Sequence, residues 1–231
     1  MTHGVGITDA KTALDALEDM TLNVQPITLE EYQARVDKAQ TLMRAKGIDA
    51  MYLNAGTNLE YFTGLKWYPS ERLVGAIVPV EGAVTLIAPA FEIGSLTQAM
   101  KLPMETLLWD EHESPYDYFI GFLKENALTK GKLALDESSS YSIVSNLEER
   151  YPAAQMCDAK VITAECRMHK SNAELALIQT AMDMTMAVHR ATGAMLQEGV
   201  TASEVRAFID EAHRKVGASG SFFCIVLFGQ G

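Results

Sequence analysis

Leu73-Val74-Gly75-Ala76-Ile77-Val78-Pro79-Val80, the pair Glu81-Gly82, and then Ala83-Val84-Thr85-Leu86-Ile87-Ala88 form the stretch on which the fold class turns. Two apolar runs of strand length, separated by a two-residue break that contains glycine, read as a β-hairpin. Upstream, Ala50 to Leu53 is a further apolar run of strand type. Between it and the hairpin lies Thr57-Asn58-Leu59-Glu60, with the form of a capping box, which opens one or two helical turns ending at Gly64. Further upstream, Thr28-Leu29-Glu30-Glu31 is another such box. Leu29, Tyr32, Val36, Ala39 and Met43 then recur at helical spacing until Gly47. Downstream, the pattern predicts a helix over Pro89 to Met100, a strand over Glu105 to Trp109 and a helix over Pro115 to Asn126. It continues with a strand over Lys132 to Asp136, a helix over Ser140 to Arg150 and a short strand over Gln155 to Cys157. Strands alternating with helices give an α/β class, with a sheet that is mixed because of the hairpin and is flanked by helices.

The outer parts of the chain read differently. Residues 1–27 look like a peripheral arm with a short helix at Ala13 to Met20, closed by Pro26. Past Asp158 the pattern changes, and Ala159 to His169 is a connector without a long period. Ser171-Asn172-Ala173-Glu174 then opens the longest helix, reaching about Gln197, with Leu175, Ile178, Met182, Thr185 and His189 on one face. Glu198-Gly199 breaks it, and Thr201-Ala202-Ser203-Glu204 starts a helix to about Val216 whose buried stripe is Val205, Phe208 and Ala212. Phe222 to Phe228, seven apolar residues in a row, reads as a strand buried on both faces. Such a strand needs neighbours, which two helices do not supply, so the expectation is an unfinished second domain. The alternative is that this strand adds to the edge of the first sheet. The expected organisation is an arm over 1–27, a first domain over 28–160 and an incomplete second domain over 161–231.

Composition narrows the function classes. The 231 residues are 48% hydrophobic with a formal net charge of -11, a sequence pI near 4.9 and a mean hydropathy of +0.02. An acidic surface repels phosphate backbones, which argues against a nucleic-acid partner. No apolar run approaches the about 18 residues that span a bilayer, so no membrane role is expected. Residues Met1 to Asp9 lack the basic and apolar regions of a secretory signal. Three cysteines, Cys157, Cys166 and Cys224, have no metal-like spacing and fit reduced thiols, hence a cytoplasmic location.

Local chemical motifs are scarce. There is no HExxH, CxxC, GxSxG or P-loop, and Gly4-Val5-Gly6 lacks the third glycine and the preceding strand of a dinucleotide fingerprint. Asp110-Glu111-His112-Glu113 carries ligand-type side chains, but four consecutive residues rarely converge on one ion, and a solvated loop is the simpler reading. His189 reads as a core or interface histidine, His169 and His213 as surface, and Cys224 as core packing. Asp136-Glu137 ahead of Ser138-Ser139-Ser140 reads as a helix N-terminus. These residues alone supply no catalytic group and no metal ligand.

Six segments, in register, carry a resemblance. Asn58-Leu59-Glu60-Tyr61-Phe62-Thr63-Gly64, Arg72 with the strand after it, and Ala88-Pro89-Ala90-Phe91-Glu92 are three of them. Arg167-Met168-His169-Lys170-Ser171-Asn172-Ala173-Glu174-Leu175, Gly199-Val200-Thr201-Ala202-Ser203-Glu204-Val205, and Phe222 to Gly229 are the others. Together they resemble the N-terminal portion of the creatinase/prolidase/Xaa-Pro aminopeptidase family. The resemblance implies a creatinase-like N-terminal domain, followed by the first helices and strand of a pita-bread α+β domain. It implies part of a dimeric metallopeptidase, a hydrolase acting on peptide bonds before proline. In such enzymes two divalent metals (Mn, Co or Zn) are held by two Asp, one His and two Glu, all of which would fall after Gly231. The chain by itself is therefore expected to be inactive. The loop Lys66 to Arg72 occupies the place from which relatives reach a partner subunit's active site. Trp67 and Tyr68 would wall an apolar pocket there, and Arg72 would meet a substrate carboxylate. A metal-free, creatinase-like C–N hydrolase and a non-catalytic, peptidase-like binding module stand as the alternatives.

Overall fold

Strict alternation of side chains builds the larger part of the molecule. The computed structural model describes residues 4–229, which fall into two compact units, 27–169 and 4–26 with 170–229. In the unit 27–169, six strands form one sheet in the order β4-β3-β2-β1-β5-β6. They are β1 (Ile48–Asn54), β2 (Gly75–Pro79), β3 (Thr85–Pro89), β4 (Glu105–Trp109), β5 (Lys132–Leu135) and β6 (Gln155–Asp158). β2 pairs antiparallel with β1 and with β3, while β3–β4, β1–β5 and β5–β6 are parallel. The sheet is therefore mixed, and the hairpin read from Leu73 to Ala88 is the reason.

Successive side chains in a strand point to opposite faces. Met51, Leu53, Ala76, Val78, Leu86, Ala88 and Ala134 point to one face, where α2 (Leu29–Lys46), α3 (Thr57–Thr63), α4 (Ile93–Ala99) and α7 (Lys160–Met168) cover them. Ala50, Tyr52, Ile77, Ile87, Leu133 and Leu135 point to the other, under α5 (Pro115–Glu125) and α6 (Tyr141–Arg150). Helix entry follows the caps. Thr28 Oγ1 accepts from Glu31 N at 3.3 Å, and Gly47 closes α2 in the left-handed region at φ 64°.

The second unit packs α1 (Ala10–Asp15), α8 (Asn172–Met195) and α9 (Ala202–Lys215) around Ala13, Met184, Val188, Met195, Val205, Phe208, Ala212 and Val216. Ser171 and Thr201 each form a complete capping box with Glu174 and Glu204. The segment read as an arm is hydrogen-bonded into this unit. Gly6 N donates to Gly193 O at 3.0 Å, Thr8 N to Ala194 O at 3.1 Å and Met20 N to Val216 O at 3.0 Å.

Several expectations need correction. Phe222 to Phe228 is not a buried strand; it forms no strand among the described residues, and Phe222, Phe223, Ile225, Leu227 and Phe228 are exposed. A continuous apolar run becomes a strand only beside another strand, and the described part of this unit is helical. Residues 160–168 are a helix, not an irregular connector. The face of α8 that is buried is Met184, Val188, Thr192 and Met195, whereas Leu175, Ile178 and Met182 are exposed. The stripe read from the sequence ends in the polar Thr185 and His189, and α9 and α1 lie against the other face. Thr57 does not cap α3, because the N-cap position is Gly56, which has no side chain to give. The first helix spans Ala10–Asp15, upstream of the predicted Ala13 to Met20.

Candidate functional site

Polar chemistry collects where the strands end. β1, β3, β4, β5 and β6 all finish on the side of the sheet where β2 begins. Neighbouring strands β1 and β5 lead out in opposite directions, β1 into α3 on one face and β5 into α6 on the other. Diverging connections leave a crevice at the carboxyl ends of adjacent parallel strands, the position where open α/β sheets bind ligands. A cleft of about 480 Å³ lies there, lined by residues of the β1–α3 turn, Lys66 to Pro69, Glu137, Ser138 and Arg167.

Beneath it sits a buried carboxylate. Asp136, 3% exposed, follows β5. Its Oδ2 accepts from Asn54 N at 3.3 Å and Asn58 Nδ2 at 3.1 Å, and its Oδ1 accepts from Ser138 N at 2.8 Å and Ser138 Oγ at 2.7 Å. Four donors offset the cost of removing a charge from water. Asn58 passes the connection on, since its Oδ1 accepts from Arg167 Nη1 at 2.8 Å. Arg167 and Arg35 both lie near the Tyr61 ring, at 5.9 Å and 4.2 Å from its centroid. Tyr52 donates from its hydroxyl to Asn54 Oδ1 at 3.1 Å and Val74 O at 3.2 Å. Burial, reinforced by the Asp136 charge, pushes the Tyr52 hydroxyl well above its ordinary range, so it stays a donor. One network therefore joins the ends of β1 and β5, α3 and α7.

The residues singled out from the sequence separate here. Trp67 is half-buried against the core and Tyr68 is 73% exposed; both line the cleft. Arg72 does not line it. Its Nε donates to Glu111 Oε1 at 2.8 Å, it also pairs with Glu71, and its guanidinium stands 5.2 Å from the Phe91 ring. Hydrogen bonding to Arg72 holds the Glu111 carboxyl below the usual carboxylate range, and the same bond raises Arg72. The Asp110 to Glu113 loop is thus tied up locally, with Glu113 Oε2 accepting from Asp110 N at 2.9 Å. Among the described residues no three His, Cys, Asp or Glu side chains converge into a set able to hold a metal ion. His189, read as a core or interface residue, is exposed, and Cys224 is half-exposed rather than core.

Asn58, Asp136 and Arg167 were not chosen as site residues from the sequence. Asn58 and Arg167 did lie in the quoted motif segments, but nothing local reveals that their side chains meet, because 109 positions separate them. Asp136 was read as a helix-start residue; its burial depends on donors from 78 and 82 positions away.

The geometry defines a class first: an open mixed α/β sheet, covered by helices on both faces, with a polar cleft where its strands end. Residues 35–169 match the family model described as "Creatinase/Prolidase N-terminal domain", and the chain belongs to that family. Among curated proteins it is 27% identical over 198 residues to "Putative dipeptidase YkvY" of Bacillus subtilis (strain 168), covering 85% of this chain and 54% of that one. Among solved structures, dipeptidase PepE from Mycobacterium ulcerans shares the fold with a TM-score of 0.75 and 23% identity, over 85% of this chain and 52% of that one. A recombinant prolidase from Thermococcus sibiricus does so with a TM-score of 0.72 and 24% identity, over 81% and 50%. The chain spans about half the length of the curated relatives it matches. Among the described residues no helix is long and apolar enough to cross a membrane.

Proposed function

We propose that this chain forms the N-terminal part of a metal-dependent Xaa-Pro dipeptidase or aminopeptidase, and that it does not hydrolyse peptides by itself. The observation that carries this reading is the length of the similarity. It extends over 198 residues of a dipeptidase-named relative, further than the domain at 35–169, so both units take part. In this reading the metals (Mn, Co or Zn) are held by residues outside the 231. The chemistry asks for a specialised site, because a bond to proline has no N–H for a general peptidase to grip and the ring restricts the backbone. When bound, a metal pair supplies an activated water and stabilises the tetrahedral oxyanion. We place the protein in a reducing, cytoplasmic setting and as a homodimer, with proline-containing peptides as substrates.

The test is a comparison of two proteins. The chain of 231 residues, incubated with an Xaa-Pro dipeptide and Mn, is expected to give no turnover above blank. The protein encoded by the reading frame continued past Gly231 is expected to cleave that dipeptide, to lose activity with a chelator and to regain it with metal. Metal-independent cleavage of a guanidino compound by the longer protein, or no hydrolysis at all, would overturn the proposal in favour of a creatinase-like enzyme or a binding module.

A further inference from the structure

The cleft between the carboxyl ends of β1 and β5 joins Trp67 and Tyr68, which the resemblance gives to a substrate pocket, to charged groups that the peptidase reading leaves unused. Beside that aromatic wall it is lined by two carboxylates, Glu60 and Glu137, and two cations, Lys66 and Arg167. Glu137 is exposed to the cleft but anchored, since both its carboxylate oxygens accept from Thr163 Oγ1 at 3.3 Å and Thr163 is buried. Lys66, on the loop after α3, is exposed and also lines the cleft. Trp67 and Tyr68 follow it, one half-buried and one open. Arg167 contributes its edge but is held by Asn58, so it belongs to the frame. The floor is rigid, because Asp136 with its four donors fixes Ser138, Asn58 and the end of β1. A volume of about 480 Å³ falls in the range of small-molecule sites, roughly 300–1,000 Å³.

We propose that this cleft binds an apolar amino acid in its zwitterionic form, with its ammonium on Glu137, its carboxylate on Lys66 and its side chain against Trp67 and Tyr68. The lining carries charge of both signs, so an anion or a cation alone would meet only half of it; a zwitterion complements both. The aromatic faces add dispersion and favour the ammonium end. Both charged groups are exposed, and such pairs are individually weak. With the apolar contact added, the expected dissociation constant is on the order of 1 mM. The proposal shares Trp67 and Tyr68 with the peptidase reading, but it concerns ligand binding by the 231-residue chain itself and needs neither the metals nor a partner subunit.

Titrating the 231-residue chain with L-leucine, while following Trp67 fluorescence and binding heat, tests it. L-leucine is expected to give a saturable change that disappears from the fluorescence in Trp67→Phe. N-acetyl-L-leucine lacks the ammonium and L-leucine amide lacks the carboxylate; each is expected to bind about threefold to fivefold more weakly. Glu137→Gln is expected to weaken L-leucine and its amide but not N-acetyl-L-leucine. Lys66→Met is expected to weaken L-leucine and N-acetyl-L-leucine but not the amide. Both substituted side chains are exposed, so unchanged melting confirms that the variants are folded. Absence of saturable binding up to on the order of 10 mM, or equal binding of all three probes, or unchanged affinity in both variants, would overturn the proposal.

Discussion

Single side chains decide how well the cleft floor is held. Asp136 answers four donors from inside the protein, and its removal strands at least the Asn54 N–H and the Asn58 amide in a buried place. Asp136→Ala is expected to cost about 3 kcal/mol in urea unfolding, and Asp136→Asn less, because one acceptor oxygen survives. A loss below about 0.5 kcal/mol would mean that the network is ornamental. The three thiols make a second contrast. Burial pushes Cys166 up to about 11 and raises half-buried Cys157, whereas Cys224 sits half-exposed in the open 222–228 segment. The thiolate is the reactive species, and a raised value leaves less of it at pH 8. Alkylation followed by mass spectrometry is expected to label Cys224 first, Cys157 next and Cys166 only on unfolding. Labelling of Cys166 in the native protein at the rate of Cys224 would contradict its packing.

At the level of helices and strands, the caps make the predictions. Thr201 gives both halves of its box, with Thr201 N donating to Glu204 Oε2 at 2.8 Å and Glu204 N donating to Thr201 Oγ1 at 3.2 Å. Thr201→Ala is expected to destabilise by about 1 kcal/mol. Thr57→Ala is expected to stay within about 0.5 kcal/mol, because the cap of α3 is Gly56. Equal losses in the two variants, measured by thermal melting, would show that the cap assignment is wrong. Gly75→Ala tests the sheet: an added Cβ would sit against Leu53 O and within 2.7 Å of the Tyr52 hydroxyl, and overpacking of this kind costs about 1–3 kcal/mol. The same scale explains what sequence reading captured. β4 was delimited at Glu105 to Trp109 because its run is bounded by polar and turn residues. α7 escaped notice because Ala159 starts it without a side-chain cap and only Ile162, Thr163 and Cys166 are buried on it. The cleft was half legible: Trp67 and Tyr68 stand out as a polar loop's aromatics, whereas Asp136, Asn58 and Arg167 become a unit only through contacts across the fold.

On the scale of the whole chain, the exposed run from Phe222 to Phe228 is a liability. Five large apolar side chains stand in solvent on a segment with strand-forming composition and low charge, the signature of self-association. Light scattering of the 231-residue chain is expected to rise with concentration, and Phe223→Ser with Ile225→Lys is expected to suppress that rise without shifting the melting of the sheet unit. Unaltered association in the double variant would point to another surface, such as Leu175, Ile178 and Met182 on α8. The division of the chain has a separate consequence. Residues 4–26 complete a body whose other part begins at 170, with the whole sheet unit inserted between them. On a translating ribosome, the backbone of Met20 has no Val216 to meet until nearly the entire chain has emerged, roughly 10–40 s later at ordinary elongation rates. During that interval the sheet has time to close while its leading segment waits as an open tether. A nascent chain stalled after His169 should therefore be clipped by protease ahead of Ile27 and resist it beyond.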